Sequence, residues 1–225
     1  MHDAKLIWVT PDAEELLCYI ARVSNPENQS KEPGSLIKYL IKNKHWSPFE
    51  MVSMCVEINT TRTIGRQWLR HNPRPQEFSQ RYEEPGKLGN FVFTEARLQD
   101  EKNRQASNQT DDQELIDWWN DVQKEVSELV SLRYKEAMKR KLAKELARNI
   151  LPEGMTPTKM YFNGNLRDWL FAIDLRAGHG TQLEATDVAK SLHQISKQAF
   201  PLTHSVFFNQ DHQANQQLSE PDNGN

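Results

Sequence analysis

The segment Arg66–Tyr82 has the sequence R-Q-W-L-R-H-N-P-R-P-Q-E-F-S-Q-R-Y and is the most informative part of this chain. It combines four arginines with a histidine, a glutamate and a serine around a bend that Pro73 and Pro75 stiffen. An apolar core has no use for such a segment, and a merely solvated surface does not favour its Trp68 and Phe78. Because the rigid donor fork of arginine matches phosphate oxygens, the segment predicts a site for a nucleotide or a similar phosphorylated molecule.

The composition of the whole chain is that of an ordinary soluble protein with one substantial core. Its 225 residues are 37% hydrophobic and 26% charged. The net charge of -3 argues against a nonspecific nucleic-acid binder, whereas basic clusters at Arg62–Arg81 and Arg133–Arg148 favour a small anionic ligand. Cys18 and Cys55 lie among apolar residues and are expected to be reduced and buried. We recognise no membrane span, signal peptide or metal site, and we expect a cytoplasmic protein.

Periodicity predicts a mixed α/β chain with few strands and long helices. Apolar residues at every second position, Val52, Met54, Val56 and Ile58, predict a half-buried strand over Met51–Arg62. The other predicted elements are strands over Lys5–Val9 and Met160–Phe162, and helices over Pro11–Ala21, Ser35–Asn43, Thr63–Arg70, Asp112–Leu151 (one helix or two in tandem), Leu166–Arg176 and Gln182–Phe200. Pro201 is expected to end the last helix. We expect a single domain over residues 1–209 and a disordered polar tail over 210–225.

Alternation within the key segment makes a more local prediction. If the chain is extended after Pro75, the side chains of Glu77, Ser79 and Arg81 lie on one side of the strand. The other side then carries Gln76, Phe78 and Gln80. A single ligand could meet a carboxylate, a hydroxyl and a guanidinium there. The alternative is a salt-bridged, solvated run, although two prolines and two aromatics would be unusual in one.

The segment closely resembles the signature of the flavin-dependent thymidylate synthases. That signature is R-H-R, seven residues and a serine, with an ending of the form Q/N-E-x-S-x-R-Y. Residues 76–82 reproduce the ending, and R-Q-W-L-R-H precedes it at residues 66–71. Asn72 stands at the third position of R-H-R, and six rather than seven residues precede Ser79. Arg74 is a candidate to replace the displaced guanidinium.

Five further blocks resemble the same family and occur in its order over roughly residues 20–205. They are A-R-V-S-N-P-E-N at 21–28, H-W-S-P-F-E at 45–50, R-N-I-L-P at 148–152, N-G-N-L-R at 163–167, and L-R at 175–176 with T-Q-L-E at 181–184. Any one block alone would be a weak match. Together with the signature, they identify the chain by resemblance as a member of the family.

The resemblance implies an α+β fold, with a small, mostly antiparallel sheet and long helices. It implies an FAD-dependent methyltransferase that converts dUMP to dTMP, with methylenetetrahydrofolate as carbon donor and NADPH as reductant. The family uses no cysteine nucleophile, and this chain has no cysteine in a polar motif. Family members are homotetramers whose active sites draw on several subunits, so a homotetramer is expected here.

The resemblance also implies site residues. Those expected to bind dUMP are Gln67, Arg70, Glu77, Ser79, Gln80, Arg81, Arg148 and Arg176. Those expected to line FAD are His45, Ser47, Glu50, Arg70, His71, Asn72, Arg74, Asn165, Arg167 and Gln182. Three of these have catalytic roles: Arg176 would stabilise negative charge on the uracil, Ser79 would position the pyrimidine, and His45 would orient the folate or pass protons. Arg81 and Arg148 are the candidates for the dUMP phosphate.

The residues themselves leave plainer roles and other functions open. Arg148 and Arg176 could be helix-dipole partners, and Asn165 could be only a helix cap. Asn72 departs from the signature, and Phe171 stands where many relatives carry a polar flavin contact. Both departures fit a flavin- or nucleotide-binding protein with lost or altered activity. The basic stretch from residue 62 to 81 could form a nucleic-acid-binding module, but the acidic net charge and interleaved glutamates count against it.

Overall fold

The computed structural model describes residues 1–178 and 180–218 of the chain. The strands over these residues are β1 Asp3–Val9, β2 Ser53–Thr61, β3 Arg74–Glu77, β4 Arg97–Gln99, β5 Ser107–Gln109 and β6 Pro157–Asn165. The α-helices are α1 Ala13–Ala21, α2 Gly34–Lys42, α3 Arg62–Trp68, α4 Gln113–Lys139, α5 Lys144–Ala147, α6 Leu166–Ala177, α7 Leu183–Ala199 and α8 Pro201–Leu218. Single 3-10 turns lie at Pro26–Asn28, Ser47–Glu50, Pro85–Leu88 and Arg148–Ile150.

The main sheet is antiparallel and has the strand order β1–β2–β6–β3, while β4 and β5 pair separately as a hairpin. β2 and β6 pair along their whole lengths, from Ser53 opposite Asn165 to Thr61 opposite Pro157. This central pair buries one face of the sheet against the helical layer to which α6 and α7 belong. The predicted α+β class with a small antiparallel sheet is confirmed.

The predicted alternating strand is also confirmed, because Val52, Met54, Val56 and Ile58 are all fully buried. β6 is longer than the predicted strand over Met160–Phe162. It is paired on both sides, with β2 and with β3, and this pairing extends the strand beyond its short apolar stretch.

The C-terminal helices differ from the sequence prediction. α7 ends at Ala199, just before Pro201 as predicted, but Pro201 also begins a further helix, α8, because a proline at the first helical position loses no hydrogen bond. Glu14 is buried and accepts hydrogen bonds from the backbone nitrogens of Leu202 (3.2 Å) and Thr203 (2.6 Å), which are free donors at this helix start. α8 runs to Leu218 and overlaps the stretch predicted as a tail. Residues 219–225 lie outside the described residues, and the disordered tail stays a prediction.

Two helix starts also differ in detail from their predicted caps. Asp12 does precede α1, but its backbone is left-handed (φ 46°) and its side chain makes no capping bond. α3 begins at Arg62, one residue before the predicted start, with Thr61 at the cap position. These are shifts of a residue or so, which local sequence signals commonly allow.

The helix predicted over Asp112–Leu151, as one helix or two in tandem, is two helices, α4 and α5, separated at residues 140–143. Lys141 adopts a left-handed conformation (φ 60°) in this break. Within α4 only Gln123 and Tyr134 are buried. Its apolar stripe therefore lies largely at the surface of the single chain, with Leu129 53% exposed.

Neither cysteine is paired within the described residues. Cys18 is buried, as predicted, and burial raises the pKa of its thiol to about 11. Cys55 is only half-buried, on β2. Among the helices that the structure describes, none is long and apolar enough to cross a membrane.

Candidate active site

The short helix α3 directs the side chains at the start of the segment Arg66–Tyr82 to two different places. Its buried side carries Ile64, Gly65 and Trp68. A Cβ on Gly65 would lie 2.7 Å from the sulfur of Met160, so the absence of a side chain there lets α3 lie close to β6. Because successive residues of a helix point about 100° apart, Arg62 and Arg66 share one side of α3, while Gln67 points to another.

The first group of site residues surrounds Arg176 at the end of α6, and we call it the Arg176 cluster (Gln67, His71, Arg176 and Gln182). Arg176 Nη2 donates to the backbone oxygen of Gln67 (2.7 Å), and Nη1 donates to the Gln67 side-chain oxygen (3.4 Å). Arg176 Nε donates to His71 Nε2 (2.9 Å). The Gln67 amide nitrogen donates to the side-chain oxygen of Gln182 (2.9 Å). Arg176 is thus held by neutral acceptors, and no carboxylate forms an ion pair with it in the described residues.

The electrostatics of this cluster follow from burial and from the two arginines. Burial first, then the charges of Arg176 and Arg70, lowers the pKa of His71 to about 4. The ring is therefore neutral at pH 7, and the bond from Arg176 requires its proton to be on Nδ1. Burial, with a contribution from Arg70, also lowers the pKa of Arg176. The guanidinium nevertheless stays charged, so the cluster presents one uncompensated positive charge.

The second group lines an open cleft of about 500 Å³, the Arg148 cleft, formed by Arg62, Arg66, Gln80, Arg148, Asn149, Leu151 and Glu153. Arg66 pairs with Glu153 through two hydrogen bonds, and Arg62 pairs with Glu77 at 3.2 Å. Arg148 has no ion-pair partner among the described residues. Gln80 is only 4% exposed, and its amide nitrogen has no hydrogen-bond partner there. A free guanidinium beside an unsatisfied buried donor is suited to an anionic oxygen ligand.

The predicted alternation from Gln76 to Arg81 is wrong after Glu77. β3 is an edge strand that ends at Glu77, and the chain then turns, with the Ser79 carbonyl accepting from the nitrogens of Tyr82 and Glu83. Glu77 is held by Thr158 (2.8 Å) as well as by Arg62. Gln80, and not Arg81, lines the Arg148 cleft.

The turn directs two other predicted dUMP residues elsewhere in the single chain. Arg81 is exposed and pairs with Glu145 at 3.4 Å. The Ser79 hydroxyl is half-buried and accepts from the backbone nitrogen of Arg81 (3.4 Å). Arg70 is exposed. Arg81 and Ser79 are therefore not joined to the Arg176 cluster by the contacts of one chain, whereas Arg70 lies near enough for its charge to lower the pKa of His71 and of Arg176.

Four of the residues predicted to line FAD lie near the beginning of α6. The Asn165 side chain accepts from the Asp168 nitrogen (2.9 Å), so it is a helix cap, whatever else it binds. Asn72 donates to the Asp168 carboxylate (2.9 Å). Arg167 pairs with Glu50, which links α6 to the 3-10 turn over Ser47–Glu50.

Three further predicted FAD residues, Arg74, His45 and Ser47, are exposed. Arg74 lies on β3 opposite Asn163 of β6, in the same part of the sheet as Asn165. His45 and Ser47 precede and begin the 3-10 turn, and the His45 ring meets Tyr39 edge-on with centroids 5.7 Å apart. The His71 side chain belongs to the Arg176 cluster, whereas its neighbour in sequence, Asn72, contacts Asp168 near the start of α6.

Phe171, the residue that departs from the family pattern, packs into an aromatic group. Its ring lies 4.9 Å from that of Trp46 and 5.7 Å from that of Phe207, both edge-on. α8 supplies Phe207, and sequence reasoning had not placed a helix there. The apolar side chain at this position is therefore explained by packing against α8, although it remains 43% exposed.

Sequence reasoning missed several residues around these sites. Arg62 could have been found, because it lies one helical turn before Arg66. Glu153 could not, because it lies 87 residues from Arg66 and no local pattern connects them. The same is true of Arg97, which forms a buried ion pair with Glu184.

Comparison with known proteins agrees with this geometry. The family described as "Thymidylate synthase complementing protein" matches residues 5–202. The chain belongs to this family, the flavin-dependent thymidylate synthases. A probable flavin-dependent thymidylate synthase of Paramecium bursaria Chlorella virus 1 is 43% identical over 208 residues, which cover 88% of this chain and 95% of the relative. The flavin-dependent thymidylate synthase of Synechocystis sp. is 40% identical over 84% of this chain and 86% of its own.

A solved structure extends the comparison to the fold. The UMP/dUMP methylase PolB from Streptomyces cacaoi, crystallised with 5-Br dUMP, aligns with a TM-score of 0.81 and 25% identity. The alignment covers 93% of this chain and 95% of that one. The family resemblance drawn from the sequence blocks is thus confirmed.

Proposed function

We propose that this protein converts dUMP to dTMP, with FAD as cofactor, methylenetetrahydrofolate as carbon donor and NADPH as reductant. The relatives named as flavin-dependent thymidylate synthases support the reaction class. The observation that carries the proposal is Arg176, a half-buried guanidinium held by neutral acceptors and beside a neutral imidazole. Such a charge can stabilise the negative charge that develops on a uracil ring when its C5 carbon becomes the nucleophile.

The chain's donors suit the nucleotide as well. Arg148 and the unpaired amide of Gln80 offer a charge and a buried donor for the 5′-phosphate. Gln67 and Arg176 offer hydrogen bonds suited to the carbonyl edge of the pyrimidine. Ser79 has no base beside it, so its role in the proposal is to position the ring.

The residues near the start of α6 suit a flavin dinucleotide. Arg74 and Arg167 are exposed guanidiniums that fit its pyrophosphate, and His45, Ser47 and Asn165 supply polar side chains for its other groups. When bound, FAD supplies the redox chemistry and carries the transferred carbon. The residues of this chain bind the cofactor and the nucleotide and hold them in a fixed relation. Neutral His71 contributes by accepting the bond that orients Arg176.

We also propose that the active site is completed by a second copy of the chain within a homotetramer. In one chain the Arg148 cleft and the Arg176 cluster lie on different sides of α3, and each holds part of the predicted dUMP set. The exposed apolar stripe of α4 supplies a surface for such an assembly. A cytoplasmic location is part of the proposal, because unpaired cysteines suit a reducing compartment.

The test is dTMP formation by the FAD-supplemented protein with all co-substrates, compared with an Arg176→Ala variant. We expect the variant to lose about a hundredfold or more in kcat, because a charge-stabilising donor is removed from the transition state. Arg176→Lys is the control, since it keeps the charge but not the fork that binds Gln67 and His71. Undiminished turnover by Arg176→Ala would refute the central role. Parallel assays with UMP, the other nucleotide of the UMP/dUMP methylase PolB, establish the preferred nucleotide.

A further inference from the structure

A buried ion pair lies behind the Arg176 cluster and has no role in the proposal so far. Arg97 Nη2 contacts Glu184 Oε1 at 2.6 Å, and the two side chains are only 12% and 8% exposed. Arg97 comes from β4 of a hairpin whose other strand, β5, is fully exposed. A buried charge pair commonly stabilises a fold no more than an apolar pair of the same size, so stability alone does not account for it.

The second oxygen of the same carboxylate connects to the active-site residues. Glu184 Oε2 accepts from the amide nitrogen of Gln182 (3.0 Å), and the Gln182 oxygen accepts from the amide nitrogen of Gln67 (2.9 Å). The Gln67 oxygens in turn accept from Arg176 (2.7 and 3.4 Å). One continuous chain of hydrogen bonds therefore runs from Arg97 to the guanidinium of Arg176.

The charged groups at the two ends give this chain a single direction, because the guanidinium of Arg176 only donates and the carboxylate of Glu184 only accepts. A carboxylate only accepts, so Gln182 must turn its nitrogen toward Glu184 and its oxygen toward Gln67. Gln67 must then turn its nitrogen toward Gln182 and its oxygen toward Arg176. Burial raises the pKa of Glu184, but hydrogen bonds from Arg97, its own backbone and Gln182 together hold the pKa below its ordinary value. The carboxylate that sets the direction is thus charged at neutral pH.

The hairpin that carries Arg97 also packs against the loop that carries Gln182. Gly180, in this loop, has φ +89°, and a Cβ there would lie 2.8 Å from the side-chain nitrogen of Asn103 in the hairpin turn. The hairpin thus lies close to the loop at Gly180, and the Arg97–Glu184 pair joins it to the first turn of α7, which lets the hairpin act as a support.

We propose that Arg97 and Glu184 are positioning residues, which fix the amide orientations of Gln182 and Gln67 and so hold Arg176 in its working orientation. This inference rests on the function proposed above. Neither residue touches substrate in the proposal. Their effect passes through the two glutamines. Without the carboxylate, the long bond from Arg176 (3.4 Å) would be left to oppose a reversal of the Gln67 amide.

The decisive variant is Glu184→Gln, which keeps the size of the side chain and removes the fixed direction. Asp187→Asn is the matched control, because it makes the same carboxylate-to-amide change one turn later on α7, where Asp187 pairs with exposed Lys190. We expect kcat/KM for dUMP to fall by roughly tenfold to a hundredfold in Glu184→Gln, as for a misplaced catalytic group. Asp187→Asn should match the wild type. Equal kcat/KM in the two variants would overturn the inference.

Two further variants separate positioning from stability. Arg97→Met/Glu184→Met replaces the ion pair with apolar side chains of similar length and should fold, yet it should have the same kinetic defect. Arg97→Lys keeps a charge beside Glu184 and should retain most of the activity. A double variant with wild-type kcat/KM would show that the ion pair has no positioning role.

A readout without turnover keeps this test separate from that of the proposed function. In the protein without ligands, the pKa of His71 measured by NMR should rise in Glu184→Gln, because the charge of Arg176 is no longer fixed against the ring. Burial and Arg70 would still hold it below 6.5. An unchanged His71 pKa would overturn the inference even in an active enzyme. Absence of dUMP-dependent turnover in the wild type would overturn only the proposed function.

Discussion

Arg176 is the residue on which the proposed chemistry depends, and its surroundings show what a sequence can and cannot predict. Family resemblance selected Gln67, His71 and Arg176, and the fold brings these three side chains into direct contact. The groups that hold them, Arg97 and Glu184, are 87 residues apart and were not connected by any local pattern. Their pairing depends on how the hairpin packs on α7, which only the folded chain defines.

The neutral state of His71 leads to a prediction about pH. The pKa is about 4 in the fold against 6.5 for an unperturbed histidine, so the unfolded chain binds the proton more readily. The stability that neutral His71 contributes is present above about pH 6.5 and is lost as the pH falls toward 4. We expect the melting temperature to fall over this window, and to fall less in His71→Gln, whose amide oxygen can accept from Arg176 without titrating.

Comparing the wild type with His71→Gln separates the effect of His71 on the melting temperature from that of other titrating groups. Burial, with the charges of His193 and Lys197, also lowers the pKa of His204 to about 4, but His204 is present in both proteins. Parallel pH profiles of the melting temperature would contradict the assignment to His71.

At the scale of the elements, helix starts and strand ends were the least predictable features. Pro201 follows Phe200, and the same proline can end one helix or begin the next. Here it does both, and the bond from Thr203 to Glu14 that secures the start of α8 joins residues 189 apart. Strand β3 similarly ends at Glu77 because of the turn at Ser79, which the extended-strand pattern concealed.

The Glu14 contact predicts a specific stability effect. Glu14→Ala would leave the backbone nitrogens of Leu202 and Thr203 buried without an acceptor, which costs about 1–3 kcal/mol of unfolding free energy. Urea denaturation followed by circular dichroism measures the loss. Glu15→Ala is the control, because Glu15 is the exposed neighbour on the same helix. An equal midpoint for both variants would show that Glu14 does not anchor α8.

At the scale of the whole molecule, the sheet order could not be predicted from periodicity, because β6 pairs with two strands far away in sequence. The α+β class with a small antiparallel sheet came from the resemblance and is confirmed. The exposed stripe on α4 and the separation of the Arg148 cleft from the Arg176 cluster both concern the assembly. A local pattern does not show which surfaces of one chain meet those of another.

The proposed shared site predicts that two inactive variants restore each other. Arg148→Ala and Arg176→Ala should each be inactive alone. If one copy supplies the cleft and another supplies the cluster, a mixed assembly should regain about a quarter of the wild-type sites. Co-expression with two affinity tags, followed by a dTMP assay on the doubly tagged protein, measures this recovery. A mixed assembly as inactive as its parents would place both groups in one chain.

The most direct test of the central claim is NADPH oxidation by the purified, FAD-supplemented protein with and without dUMP. The account predicts that dUMP stimulates oxidation, because the nucleotide and the flavin share one working site around Arg176. A protein that binds flavin but oxidises NADPH equally with and without dUMP would contradict the synthase function. That result would favour a binding protein in which the departures at Asn72 and Phe171 accompany lost or altered activity.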